Sequence, residues 1–274
     1  LEIPALSSQP LFADAQAVSA GRATGEIRAV FGVHRQVEAR VTLNGLIAAD
    51  TGHTLPVANV GFRAVTGSNG ALSVQVPVLL DNSGRRSDLN FALELSPLGR
   101  GRSLDGKLTG QQVELDDLLG VLGVFLASAA PDNGDKPVAT GSRSPDTVAA
   151  WSQFSGQLSL DLKSVTYGKE WAMTGLSGGV VIEPTRLALQ KLSASFSETS
   201  RLAAKMEMRF TGGPLPYRLT GDYSLNDFDV GKLFKAIDPA KPPTIDGLFT
   251  IAGQLSGNGE TMSRALDRVH GDFQ

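Results

Sequence analysis

Apolar and polar residues take turns along most of this chain. Leu158, Leu160 and Leu162 alternate with Ser159, Asp161 and Lys163; Met206, Met208 and Phe210 alternate with Lys205, Glu207 and Arg209. Tyr217, Leu219, Gly221, Tyr223 and Leu225 alternate with Arg218, Thr220, Asp222 and Ser224. Similar runs cover Val37 to Leu43, Ala71 to Val78, Leu89 to Leu95, Leu187 to Phe196 and Leu248 to Leu255. Side chains on a strand point to opposite faces in turn, so a period of two predicts strands with one apolar face. Gly67-Ser68-Asn69-Gly70, Asp81-Asn82-Ser83-Gly84 and Gly212-Gly213-Pro214 separate the runs and read as tight turns. The pattern predicts an antiparallel meander.

Helical segments interrupt it. Residues from about Asp116 to Ala130 form an apolar helix with Asp116 as its predicted N-cap. Its apolar stretch is shorter than the ~18 residues that suggest a bilayer span. Val230 to Ile237 reads as a second helix capped by Asp229, and Thr261 to Val269 as a third. Between the first helix and the next strands the chain is rich in Pro, Gly, Asp, Ser and Lys, which predicts a flexible linker over residues 131–150. Leu104-Asp105-Gly106-Lys107-Leu108 matches Leu219-Thr220-Gly221-Asp222-Tyr223, and the same offset joins Leu118-Leu119 to Leu233-Phe234. This predicts two related units, residues 1–130 and 151–274, each made of several strands, a short helical crossover and more strands.

Composition narrows the function. The 274 residues include 41% hydrophobic and 19% charged side chains, which suits a folded chain and argues against global disorder. The net charge is −3 and no basic cluster stands out, so nucleic acid is not an expected partner. Without cysteine, disulfides and thiolate metal sites are excluded. Leu1-Glu2-Ile3-Pro4 does not read as a signal peptide, and the sequence reads as a segment of a longer protein.

Two motifs carry potential chemistry. Gly175-Leu176-Ser177-Gly178-Gly179 matches the G-x-S-x-G nucleophile pattern, which needs a helix after the serine. Val180-Val181-Ile182 follows instead, so the expectation is a Gly-rich hairpin turn. Asp227-Phe228-Asp229-Val230-Gly231 resembles part of a calcium loop but lacks the further oxygen ligands, and helix capping explains it. His34, His53 and His270 have no partners at metal-binding spacing. No catalytic residue, metal or cofactor is expected, and the chain reads as a non-enzyme.

One ordered set of segments resembles the C-terminal region of the AsmA-like family of Gram-negative envelope proteins. It runs from Phe154-Ser155-Gly156-Gln157-Leu158 through Leu192-Ser193-Ala194-Ser195-Phe196 and the Tyr217-Arg218-Leu219 strand. It continues with Phe228-Asp229-Val230-Gly231-Lys232-Leu233-Phe234, Gly247-Leu248-Phe249-Thr250 and Gln254 to Gly259. The resemblance covers about half the chain; the N-terminal half joins it through the repeat alone. It implies a periplasmic, bridge-like lipid carrier, anchored in the inner membrane by a segment not in this chain and involved in moving phospholipid to the outer membrane. It also implies a long twisted antiparallel sheet, mainly β, curled into an open apolar groove with two or three short helices.

In that reading phospholipid acyl chains are the ligand, and both membranes or their proteins are reached through regions outside this segment. The groove lining is expected at Leu158, Leu160, Leu162, Leu187, Leu189, Met206, Met208, Phe210, Leu219, Tyr223, Phe249 and Ile251. Headgroup selectivity is expected to be weak, and the helix from Leu118 to Ala130 is expected to plug the groove or dock it. Periodicity alone leaves a second architecture open, since one apolar face per strand is also what a β-sandwich core requires. The matching functional alternative is a non-catalytic envelope scaffold that binds a partner protein through a sheet edge.

Overall fold

The computed structural model describes residues 18–32, 35–48, 52–99, 101–129, 146–168, 171–237 and 247–273. Residues 131–145 of the linker predicted over 131–150, His34, and both chain termini lie outside them. The strands are β1 (Val18–Val30), β2 (Arg35–Ala48), β3 (Val57–Thr66), β4 (Leu72–Asn82), β5 (Arg85–Leu98) and β6 (Gly101–Glu114). After helix α1 (Leu115–Ala129) come β7 (Phe154–Tyr167), β8 (Trp171–Glu183), β9 (Arg186–Ser195), β10 (Arg201–Phe210) and β11 (Tyr217–Asp229). Helix α2 (Val230–Ile237), β12 (Leu248–Gly259), helix α3 (Met262–Asp267) and β13 (His270–Phe273) complete the described chain.

The 13 strands form one open sheet in which spatial order equals sequence order. The strands predicted for two units are therefore continuous through the pairing of β6 with β7. Register shows why the alternating pattern matters. Ala39 stands opposite Phe62, Val78 opposite Leu89, Leu93 opposite Gly106, Leu108 opposite Leu160, Val180 opposite Leu189, Met208 opposite Leu219 and Leu225 opposite Ile251. Directly opposed residues share a face. One face is thus apolar across the whole sheet. The other carries cross-strand polar pairs such as Glu26 with Arg40, Glu38 with Arg63, Asp105 with Gln157 and Lys205 with Asp222.

All neighbouring strands run antiparallel except β6 and β7, which are parallel from Arg102 and Phe154 to Glu114 and Thr166. This departs from the predicted meander. Parallel neighbours need a connection of a dozen or more residues. The connection from α1 to β7 supplies it and returns to the end of the sheet where β6 begins. The α2 connection is shorter, and β12 pairs antiparallel with β11, Asp229 opposite Leu248. The two helices begin at Leu115 and Val230, at the same offset as the sequence repeat. The repeat is thus visible in strand and helix but not in strand direction.

Two local expectations are corrected. Residues Gly175 to Gly179 form no hairpin turn; they lie inside β8. Gly175 adopts φ +61°, and the β8–β9 register slips on both sides of Ser177, which identifies a β-bulge. Asp116 is not the cap of α1 but sits in its first turn, where Oδ2 accepts a hydrogen bond from the Gly168 N–H at 3.0 Å. Asp229 does cap α2, accepting from the Lys232 N–H at 3.1 Å.

Candidate functional site: an apolar trough

The register places all twelve predicted lining residues on the apolar face. Leu158 opposes Val180, Leu162 opposes Leu176, Leu187 and Leu189 oppose Met208 and Met206, and Phe210 opposes Tyr217. Tyr223 opposes Ala204, Ile251 opposes Leu225, and Phe249 opposes Phe228. Nine of the twelve are half-buried, while Leu162, Met208 and Leu219 are buried. Leu158, Leu187, Met206 and Phe210 pack against the residues buried at one end of the face, and Leu160 against those at the other. Val60, Val74, Val76, Phe91, Leu93 and Leu108, in the middle of β3 to β6, are half-buried as well. Among the described residues no second sheet lies over this face.

The buried residues mark where short elements cover the face. At the end of the sheet where β6, β7 and β11 begin, Ala149 and Trp151, just ahead of β7, join Ala265 of α3 over Ile182, Met208, Tyr217 and Leu219. The cover is tied down at several points. The Trp151 indole Nε1–H donates to the Glu183 carbonyl at 2.8 Å, and its ring stands 5.8 Å from that of Tyr217. The Tyr217 hydroxyl donates to Asp146 Oδ2 at 2.7 Å and accepts from the Ala150 N–H at 3.1 Å, while the Asp146 N–H reaches the Glu260 carbonyl at 3.1 Å. Burial, then the bond to Asp146, raises the Tyr217 pKa above the ordinary tyrosine value. The sequence reading missed this cap because residues 131–150 scanned as linker. Trp151, one of only two tryptophans, directly after that polar stretch, was the available signal.

At the opposite end α1 lays Leu118 and Val121 against Leu43, Leu46, Ala58 and Leu80, and Leu115 and Leu118 pack against Val113, Leu162 and Val165. Its first turn is anchored by Asp117 Oδ1, which accepts from Asn82 at 2.7 Å and Arg85 at 3.1 Å. A row of aromatic rings crosses β7 to β11 at this end. Tyr167 and Trp171 stand 6.5 Å apart, Trp171 and Phe196 5.5 Å, Phe196 and Phe228 4.9 Å. Among the described residues, then, short elements cover the apolar face at both ends and none crosses its middle.

The charged face offers no comparable site. A depression of about 630 Å³ opens there between β9 and β13. Its charges cancel in pairs: Arg186 meets Glu207 at 2.7 Å and Lys205 meets Asp222 at 3.2 Å. Hydrogen bonds from Arg209 and then Arg186 hold the Glu207 carboxyl below its usual range. Ser177 Oγ lies 3.2 Å from Ser193 Oγ on the neighbouring strand, so the serine of the G-x-S-x-G pattern faces another hydroxyl instead of a base. His270 is exposed on β13, 2.9 Å from Ser256. Among the described residues no three His, Asp or Glu side chains converge as a metal site requires, and no helix is long and apolar enough to cross a membrane. Comparison with family models, with curated proteins and with solved structures found no match to this chain.

Proposed function

We propose that the apolar face is a trough that shields lipid acyl chains, and that the chain is a segment of a periplasmic, bridge-like carrier of phospholipid. One observation carries the reading: an apolar surface runs through every strand register, yet its central side chains stay partly exposed, and among the described residues no second sheet lies above them. Monomeric soluble proteins rarely leave a contiguous apolar patch of more than a few hundred Å² open to water. Each acyl methylene brought from water to such a surface gains about 0.8 kcal/mol. A smooth apolar floor of Leu, Val, Met and Phe supplies that gain without polar contacts, so headgroups stay wet and are poorly discriminated. The AsmA-like segment order supports the periplasmic, inner-membrane-anchored setting.

The test is native mass spectrometry of the gently purified chain, which should retain phospholipid. Leu160 lies at the centre of the trough, opposite Leu108 and Gly178. In Leu160→Asp a carboxylate would face the acyl chain, and lipid retention should fall by an order of magnitude or more. Unchanged retention in a folded Leu160→Asp protein would refute the trough.

A further inference from the structure

The sheet has one long edge, β1. Among the described residues β1 pairs only with β2, so its outer backbone N–H and C=O groups have no ladder partner there. Edge strands are commonly blunted by shortness, lysine, proline or a bulge. The other edge strand is short, since β13 spans only His270 to Phe273. β1 has 13 residues with neither lysine nor proline. Its irregular pairing is confined to the stretch before Arg22, and from Arg22 to Val30 the register against β2 is unbroken. Ile27 and Phe31, the residue just past the strand, are 76% and 82% exposed, the two highest values among the large apolar side chains described.

Register decides what fits this edge. Ile27 stands opposite Ala39, and Ala39 opposite Phe62, so Ile27 belongs to the apolar face. Glu26 and Arg28 stand opposite Arg40 and Glu38 on the charged face. Among the described residues Arg28 has no ion pair, because Glu38 meets Arg63 at 3.3 Å, and Glu26 reaches Arg40 only at 3.9 Å. Directly opposed residues share a face, so a second β1 laid antiparallel along the first matches both faces only in registers that oppose residues an even number of positions apart. Centring the pair on Glu26 or on Arg28 sets like charges against each other, and centring it on Gly25 opposes Arg28 to Arg22. Centring it on Thr24 opposes Glu26 to Arg22 but draws in the irregular stretch. Centring it on Ile27 uses the regular stretch and opposes Glu26 of each copy to Arg28 of the other, Ala29 to Gly25 and Ile27 to itself. We infer that β1 pairs in this register with β1 of a second copy of the chain, joining the two sheets apolar face to apolar face. The inference does not rest on the trough reading, and its readouts involve no lipid.

The experiment is sedimentation velocity of the full chain over a range of concentrations. The parent should form a dimer. Glu26→Arg sets arginine against Arg28 of the other copy, and Arg28→Glu sets glutamate against Glu26, so each variant alone should dimerise about tenfold more weakly. An equal mixture of the two variants should dimerise as tightly as the parent, because one copy then carries two arginines at these positions and the other two glutamates. The sequence has no cysteine, so a single introduced thiol reads the register. Ile27→Cys should give a disulfide-linked dimer on mild oxidation, since the Cβ atoms of directly opposed residues lie within disulfide reach. Ala29→Cys, on the same face but off the axis, should not. A parent that is monomeric at every concentration, a mixture no tighter than either variant alone, or no difference in cross-linking between the two cysteine variants would each overturn the inference.

Discussion

Tyr217 is fully enclosed, yet its hydroxyl is held by two hydrogen bonds, one to Asp146 and one from Ala150. Removing one partner of a buried pair leaves the other unsatisfied, at a cost of about 1–3 kcal/mol. Tyr217→Phe should lower stability by that amount, read from denaturant midpoints. The same site sets a pH dependence. A group whose pKa is raised on folding contributes stability below its unfolded pKa and loses it as pH climbs through the folded one. The contribution should hold up to about pH 10, the unfolded tyrosine value, and decline above it. The decline should be smaller in Tyr217→Phe. Trp151→Ala, which uncaps Met208 and Leu219, should cost about 3–5 kcal/mol in the same assay.

Elements show how much of this architecture the chain spells out. The alternation of β7, β10 and β11 and the segment Val230 to Ile237 are as readable in sequence as in space, because a period of two or a capped helical turn is a local property. β1 and β3 escaped that reading. Gly21 and Gly25 dilute the apolar positions of β1, and Gly61 interrupts β3 where the Pro77 side chain packs against it. The bulge at Gly175 was mistaken for a turn because both place glycine at positive φ. The parallel join of β6 to β7 is not a local property at all. It depends on where the chain returns after α1, and pairing partners leave no mark in either strand's own pattern. That join is testable. Gly156 has φ +146°, and a side chain there would run into the Leu104 backbone. Gly156→Ala should cost about 3 kcal/mol by calorimetry, from combined strain and overpacking.

At the scale of the whole molecule, the chain is one wide sheet with unlike faces. A sandwich would bury its apolar positions under a partner sheet, and the twelve sequence-identified residues would then be uniformly enclosed. Among the described residues the large apolar side chains buried on this face lie under the Trp151 cap and α3, under α1, and in the ring row ending at Phe228, and the span between keeps partly exposed side chains. The candidate lining was legible in the sequence because face membership follows from alternation. Its partial cover was not, because caps are made by residues distant in the chain. The proposed carriage of lipid follows from this geometry and from the cost of exposing methylenes to water.

The most direct test of that account reads the two faces separately. A photoreactive phenylalanine analogue placed in turn at each position from Leu158 to Leu162 would be irradiated with bound phospholipid present, and cross-linked lipid measured by mass spectrometry. The account predicts adducts at positions 158 and 160, none at 159 and 161, and none at position 162, which α1 covers. Equal labelling of both sets, or no lipid adduct at position 160, would contradict it.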